Sequence, residues 1–361
     1  MRKSAEGMNE KQFGFGIIGA GIISDIHAQA IQAIPEAKLY GVYSLNKNKS
    51  QAFADKYHCT SYDTLNEMLN VPEIDIVCIC TPSGVHLDPA IECINAGKHC
   101  VIEKPLEVTL SKCDQIIAAS EKAGVKIAVI FPSRFYEASQ QIKHALDEQR
   151  FGTLAFGDAY VKWNRSEAYY RSAAWRGTWQ LDGGGALMNQ GIHSVDLLQW
   201  YMGDVASIQA VMTNIKHKSI EVEDTVVSTL HFVNGALGVI QCSTAVFPGA
   251  LKRIEIMGTA GTAILEESNL IKWEFDKAIA GDESVRQKMA TTTVSHGGVS
   301  NPADISFYGH QKQLEDMIRA IKTDTKPMID AKDGRKSVAI VLGIYESART
   351  GKMIELINNK D

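Results

Sequence analysis

The sequence predicts an α/β protein: a doubly wound parallel sheet, followed by an α+β domain whose open sheet is mostly antiparallel. Three observations carry that expectation. From Phe13 to about Phe131, apolar runs of strand length alternate with helical patterns, as repeated β-α-β units require. From Ala206 to Phe275, β-rich runs instead follow one another through turn signals such as Asn234-Gly235 and Gly258-Thr259-Ala260-Gly261. At 361 residues, the chain also exceeds the size at which a single core usually stops growing, which favours two domains.

The strands of the first domain are placed at Phe13 to Ile18, Leu39 to Tyr43, Ile74 to Cys80, His99 to Ile102 and Lys126 to Phe131. Several are apolar on both faces, the demand of a parallel sheet covered by helices. Between them, Ser50 to Tyr57 carries Phe53 and Tyr57 at helical spacing, and Asp88 to Asn95 ends at Gly97, a candidate C-cap. After Phe135 a helix over Glu137 to Glu148 leads through Phe151-Gly152 into a strand over Leu154 to Lys162. Ala278 to Pro302 is polar and rich in Thr, Ser and Gly, and reads as a long loop or mobile hairpin. Helices near Gln311 to Ile321 and Arg335 to Thr350 close the chain. The expected division is an extended or disordered N-terminus over 1–12, a first domain over 13–134 and a second over 135–361, with the final helices returning to the first domain.

Composition excludes several classes of function. A formal net charge of -5 offers no basic footprint for nucleic acid, and no basic cluster favours anionic lipid. The opening stretch Met1 to Gln12 lacks the apolar core of a secretory signal, and no later segment reads as a membrane span. The seven cysteines lie mostly among apolar neighbours, as at Cys78, Cys80 and Cys242, which suits a reducing, cytoplasmic compartment. They include no CxxC-like pair, so no metal is expected.

Gly16-Ile17-Ile18-Gly19-Ala20-Gly21 sits where the first strand should turn into the first helix. Gly19 permits the tight turn and Gly21 lets backbone approach a pyrophosphate. The N–H groups at the helix start, on Ile22 and Ile23, are free to bind it. At the end of the second strand Ser44 stands where an acid usually binds the ribose 2′-hydroxyl of NAD. Asn46, Lys47 and Lys49 nearby suit a 2′-phosphate, so the site admits NADP or NAD, with NADP favoured. Thr81 and Pro82 at the end of the third strand should line the same groove; His86 joins them or caps the next helix.

Glu103-Lys104-Pro105 follows the fourth strand, where buried charges need partners or a polar cavity. Pro105 restricts the backbone there and admits a cis bond. Downstream, Asp182-Gly183-Gly184-Gly185 precedes an apolar helix bearing Asn189 and His193, four apart on one face, with Asp196 placed to orient the imidazole or raise its pKa. Oxidising a secondary alcohol needs a base for the hydroxyl proton, a role that suits an imidazole of near-neutral pKa. A lysine of pKa about 10.4 stabilises the developing alkoxide as a cation. His193 is thus the expected acid/base, Lys104 its electrostatic partner, and Asn189 a third catalytic candidate.

These motifs resemble the glucose-fructose oxidoreductase, inositol dehydrogenase and MocA (Gfo/Idh/MocA) family over nearly the whole chain. The resemblance implies an N-terminal Rossmann domain, dimers or tetramers built on the C-terminal sheet, and Lys104 and His193 at the nicotinamide. Many relatives carry aspartate where Asn189 stands, and an amide cannot raise the histidine's pKa as a carboxylate would. Tyr169 to Trp179 resembles relatives acting on nucleotide-linked N-acetylglucosaminuronate or on glycosides at carbon 3. There Tyr170 and Trp175 are candidate sugar faces, and Arg176 suits a carboxylate or phosphate. Trp175, Arg176, Glu103 and Arg134 are also candidates against the cofactor, although Arg134 equally suits an interface salt bridge. The expected activity is NAD(P)-dependent oxidation or reduction at a ring hydroxyl or ketone of a sugar, sugar derivative or cyclitol. Two alternatives remain: a glycosidase using bound NAD for transient carbon-3 oxidation, and a non-catalytic NADP-sensing protein.

Overall fold

The computed structural model describes residues 12–291 and 306–356. Its first sheet contains β1 (Phe13–Ile18), β2 (Ala37–Tyr43), β3 (Thr60–Tyr62), β4 (Ile74–Ile79), β5 (His99–Ile102) and β6 (Ile127–Val129), all parallel, in the order β3-β2-β1-β4-β5-β6. Because successive side chains alternate, each strand feeds two cores. Phe13, Phe15 and Ile17 of β1 and Ile76 and Cys78 of β4 bury into one cluster; Ile18, Val77 and Ile79 bury into the other. Each such apolar side chain contributes roughly 1.5–3 kcal/mol relative to exposure.

The first cluster is covered by α1 (Ile22–Gln32) and α2 (Lys47–Tyr57); α3 (Leu65–Leu69), α4 (Leu87–Asn95) and α5 (Leu110–Ala123) cover the second. The chain then leaves through α6 (Glu137–Asp147) for a second sheet of β7 (Leu154–Lys162), β8 (Val205–Thr213), β9 (Thr225–Phe232), β10 (Leu237–Ser243), β11 (Arg253–Gly258), β12 (Gly261–Glu266), β13 (Asn269–Phe275) and β14 (Ile354–Glu355). Its order is β13-β12-β11-β7-β10-β9-β8-β14, and every pairing is antiparallel except β7 with β10.

Five more α-helices are described: α7 (Glu167–Arg171), α8 (Ile192–Met202), α9 (Ala280–Thr291, between β13 and α10), α10 (Tyr308–Lys322) and α11 (Ala331–Thr350). Leu314, Met317 and Ile318 of α10 join the cluster around Phe15, and Val129 donates its N–H to the Ile329 carbonyl at 3.1 Å, so the C-terminal segment packs on the first domain.

Several boundaries moved. The three-residue β3 carries no apolar period and was not anticipated. Helix α9 occupies part of the segment expected to be a loop. Its N-terminus is fixed by Asp282, which accepts from Trp273 Nε1 at 2.8 Å and Arg150 at 2.7 Å, tertiary anchors that composition does not reveal. Residues 292–302 of that segment, and 1–11 of the expected N-terminal extension, lie outside the described residues. Among the described residues no helix is long and apolar enough to cross a membrane.

Candidate active site

The strand order reverses direction between β1 and β4, and a crevice opens there at the carboxyl ends of the strands, the place where such sheets bind ligands. Gly19 adopts φ +105°, and a Cβ there would lie 2.7 Å from the Cys80 carbonyl oxygen, so only glycine allows β1 to turn so close to β4. Above Gly21 a Cβ would meet nothing within 4 Å, which leaves space at the start of α1 for a pyrophosphate. A cleft of about 1780 Å³ extends from Ser44, Asn46 and Lys49 past Gly19, Gly21, Ile22, Ile23, Thr81 and Pro82 to Lys104, Asn189 and His193. These residues fit a dinucleotide.

Lys104 lines this cleft two residues past the end of β5 at Ile102, and the Lys104–Pro105 bond is cis. Its neighbour Glu103 is buried, with Oε1 2.9 Å from His27 Nε2 and 3.4 Å from His310 Nε2. Burial disfavours the Glu103 carboxylate, but the two imidazoles outweigh it and hold the group well below the usual range. These three residues have spacing that a metal could use, while His27 and Glu103 stand at hydrogen-bond distance and tie the Glu-Lys-Pro turn to α1. Lys104 Nζ donates to the main-chain carbonyl of Asn189 at 2.9 Å. Burial lowers its pKa, so it is not the unperturbed cation expected from sequence.

The opposite wall is a π-helical turn, Ala186–Gly191, running into α8. The buried Glu223 fixes its start by accepting the N–H groups of Gly185 and Leu187, each at 2.8 Å, and the Tyr345 hydroxyl at 3.0 Å. Gly185 is required, since a Cβ would lie 1.8 Å from the Glu223 carbonyl oxygen. His193 lines the cleft beyond this turn, edge-on to Phe131 with ring centroids 5.8 Å apart. Burial first, then Lys104 and Lys252, push its pKa well below the ordinary value, so it is neutral rather than near titration.

Glu103, Trp175 and Arg176 line the cleft with the residues above. Arg176 packs over the rings of Tyr169 and Trp175 and donates to the Tyr169 hydroxyl at 2.6 Å. Four expectations need correction. Asp196 does not attend His193; it receives two hydrogen bonds from Arg134, at 2.7 and 2.9 Å, and both residues are buried. Arg134 therefore forms the interface ion pair and does not line the cleft. The ring of His86 is spent on the Pro105 and Thr81 carbonyls, at 2.9 and 3.0 Å, so it braces the cis turn from behind. Tyr170 is buried against Thr244 at 2.8 Å, and its neighbour Tyr169 meets the cleft instead.

Other cleft residues escaped sequence reasoning. Tyr169 adjoins Tyr170 on the five-residue α7, where packing and not spacing sets which ring faces the cleft. Arg165, Lys252 and His310 stand in no motif and are assembled only by tertiary packing.

A dinucleotide crevice facing a half-buried lysine and histidine defines an NAD(P)-dependent oxidoreductase. Residues 13–131 match the oxidoreductase family with an NAD-binding Rossmann fold, and residues 139–264 match the GFO/IDH/MocA C-terminal domain. The chain is 32% identical to the uncharacterized oxidoreductase YrbE of Bacillus subtilis, over 72% of this chain and 75% of that one. It is 25% identical to the myo-inositol 2-dehydrogenase of Thermotoga maritima, over 95% and 99% respectively. Among solved structures, the WlbA dehydrogenase of Bordetella pertussis in complex with NADH and UDP-GlcNAcA matches with a TM-score of 0.89 at 32% identity, covering 98% of this chain and 100% of that one. The chain belongs to the Gfo/Idh/MocA oxidoreductase family.

Proposed function

We propose that this enzyme oxidises a secondary ring hydroxyl of an anionic, nucleotide-linked sugar of the N-acetylglucosaminuronate type, at carbon 3. The observation that carries this reading is the cationic sugar end of the cleft. Arg165, Arg176 and Lys252 line it beside His193 and Lys104, and Tyr169 and Trp175 offer flat faces for sugar C–H groups. The WlbA complex holds a substrate of this chemistry. The carbon-3 position follows the resemblance of the Tyr169 to Trp179 segment.

A bound nicotinamide supplies the hydride acceptor. His193, neutral and facing the cleft, accepts the hydroxyl proton on an unprotonated ring nitrogen. Lys104, held against the Asn189 carbonyl, presents its ammonium to the oxygen as negative charge develops. We assign NAD as the cofactor: Lys47, one of the cations a 2′-phosphate would need, is paired with Asp63 at 2.6 Å and does not line the cleft. Neither a glycosidase cycling its cofactor nor a cofactor sensor is favoured.

The test is turnover of UDP-linked N-acetylglucosaminuronate with NAD, followed by nicotinamide absorbance beside neutral sugars, inositols and NADP. Preference for a neutral polyol overturns the substrate assignment, and tighter binding of NADP overturns the cofactor assignment. His193→Ala should lower kcat by roughly 10²–10⁴-fold with NAD affinity unchanged; intact turnover removes His193 from the chemistry.

A further inference from the structure

A carboxylate lies one hydrogen bond behind Asn189. Asp182 is 2% exposed and stands outside the cleft lining. Its Oδ1 accepts Asn189 Nδ2 at 2.6 Å, and its Oδ2 accepts the Gly177 N–H at 2.9 Å. The same Asn189 holds Lys104 Nζ on its main-chain carbonyl. The chain of contacts is therefore carboxylate, amide, carbonyl, ammonium.

Isolating a carboxylate from water is costly unless charge and hydrogen bonds compensate, so a buried aspartate beside a reacting group calls for an explanation. Of the charged groups that face Asp182, Lys104 and Arg176 favour its ionised form; the tyrosine hydroxyls beside it, Tyr169 and Tyr170, are made harder to ionise by it. Lys104 in turn faces Glu103 and Asp182, which favour its ammonium, and Arg176, which opposes it. Glu103 is already committed to His27 and to the Lys104 N–H at 3.2 Å.

We propose that Asp182 is a positioning residue for the reaction: by holding the Asn189 side chain it fixes the residue whose main-chain carbonyl grips Lys104, and it sets a buried carboxylate two hydrogen bonds from the Lys104 ammonium. Burial pushes the Asp182 carboxyl up to about 6, which leaves it ionised at neutral pH and above. The proposal rests on Lys104 acting at the substrate oxygen, and not on which sugar is bound.

The experiment compares wild type, Asp182→Asn and the exchanged double variant Asp182→Asn/Asn189→Asp in two measurements. The first is the titration of the Lys104 side chain, read in the absence of substrate from its ¹³Cε resonance and assigned by the signal's loss in Lys104→Met. The second is the pH dependence of kcat. In Asp182→Asn the Lys104 titration and the alkaline limb of kcat should both move to lower pH by about half a unit or more, with kcat down about tenfold and KM little changed. The double variant, which returns the charge with donor and acceptor exchanged, should restore both. An unmoved Lys104 resonance in Asp182→Asn overturns the proposal, as does a double variant no better than the single one. Lys104→Met retaining turnover would instead overturn the catalytic assignment of Lys104 while leaving the resonance shift intact, so the two failures are distinguishable.

Discussion

At the scale of single residues, burial decides what each ionisable group contributes. His193 and Lys104 share one low-dielectric cleft, and each is held toward its neutral form, chiefly by lost hydration. The ion pair between Arg134 and Asp196 shows the opposite use of burial. Both groups are removed from water, their two hydrogen bonds are bidentate, and Ser337 donates a third to Asp196 at 3.2 Å. Removing Asp196 leaves the buried Arg134 only the longer, half-exposed contact to Asp333 at 3.9 Å. Asp196→Ala should therefore cost about 3–5 kcal/mol in denaturant unfolding, whereas Arg134→Met/Asp196→Leu, which removes both charges, should lose much less. A single variant as stable as wild type would show that water or another group reaches Arg134.

At the scale of elements, the π-turn and its cap form the unit that presents Asn189 and His193. Glu223 sits wholly inside the protein and burial pushes its pKa up to about 7, partly offset by the N–H groups of Leu187 and Gly185. The sign of the pH effect follows. A carboxyl raised from about 4.5 to about 7 on folding binds its proton more tightly in the native state, so its stabilisation is complete below pH 4.5 and is lost as the pH rises through 7. Stability of the wild type should fall over that window by up to about 3 kcal/mol, and Glu223→Gln, though less stable overall because its amide cannot accept the Gly185 N–H, should lack this part of the slope. Equal slopes in urea unfolding at pH 5 and pH 8 would remove Glu223 as the source. Such a cap is invisible in sequence, since residues 185 and 223 are joined only by the fold. The strands of the parallel sheet were legible because two covered faces leave continuous apolar runs. Gly19, Glu103, Lys104 and His193 were legible because turn geometry and a strand's end constrain their neighbours. Asp196 does not attend His193: helical spacing puts the two near each other but cannot show that Arg134, 62 residues away in the chain, competes for it and wins. Helix α9 was missed because its stability lies in Arg150 and Trp273, far away or across a turn.

At the scale of the whole molecule, the second sheet has, among the described residues, one face buried under helices and one that leaves apolar side chains exposed. Cross-strand register sets Val211 beside Val227, and on the same outer side Leu237 stands beside Phe156. Val211 is 69% exposed and Phe156 49%, while their inward neighbours Ala210, Leu230, Ile240 and Ala159 are buried. These are two exposed apolar pairs on one face, separated by the Val239–Thr229 pair and flanked by His231 and Gln241, and together they leave apolar surface that a partner could cover. Sheets of this kind bury it most economically against a second copy, because a two-fold axis sets one patch on its own counterpart. The enzyme is therefore expected to sediment as a dimer or tetramer at micromolar concentration. Val211→Lys/Val227→Lys places two like charges side by side on that face and should shift the population toward monomer by tenfold or more in dissociation constant, since uncompensated interfacial charge costs several kcal/mol. The cleft lies between the two sheets' domains and takes no residue from this face, so NAD binding should survive the dissociation. A wild-type protein that sediments as a monomer, or a double variant that associates as tightly as wild type, would assign the face some other partner.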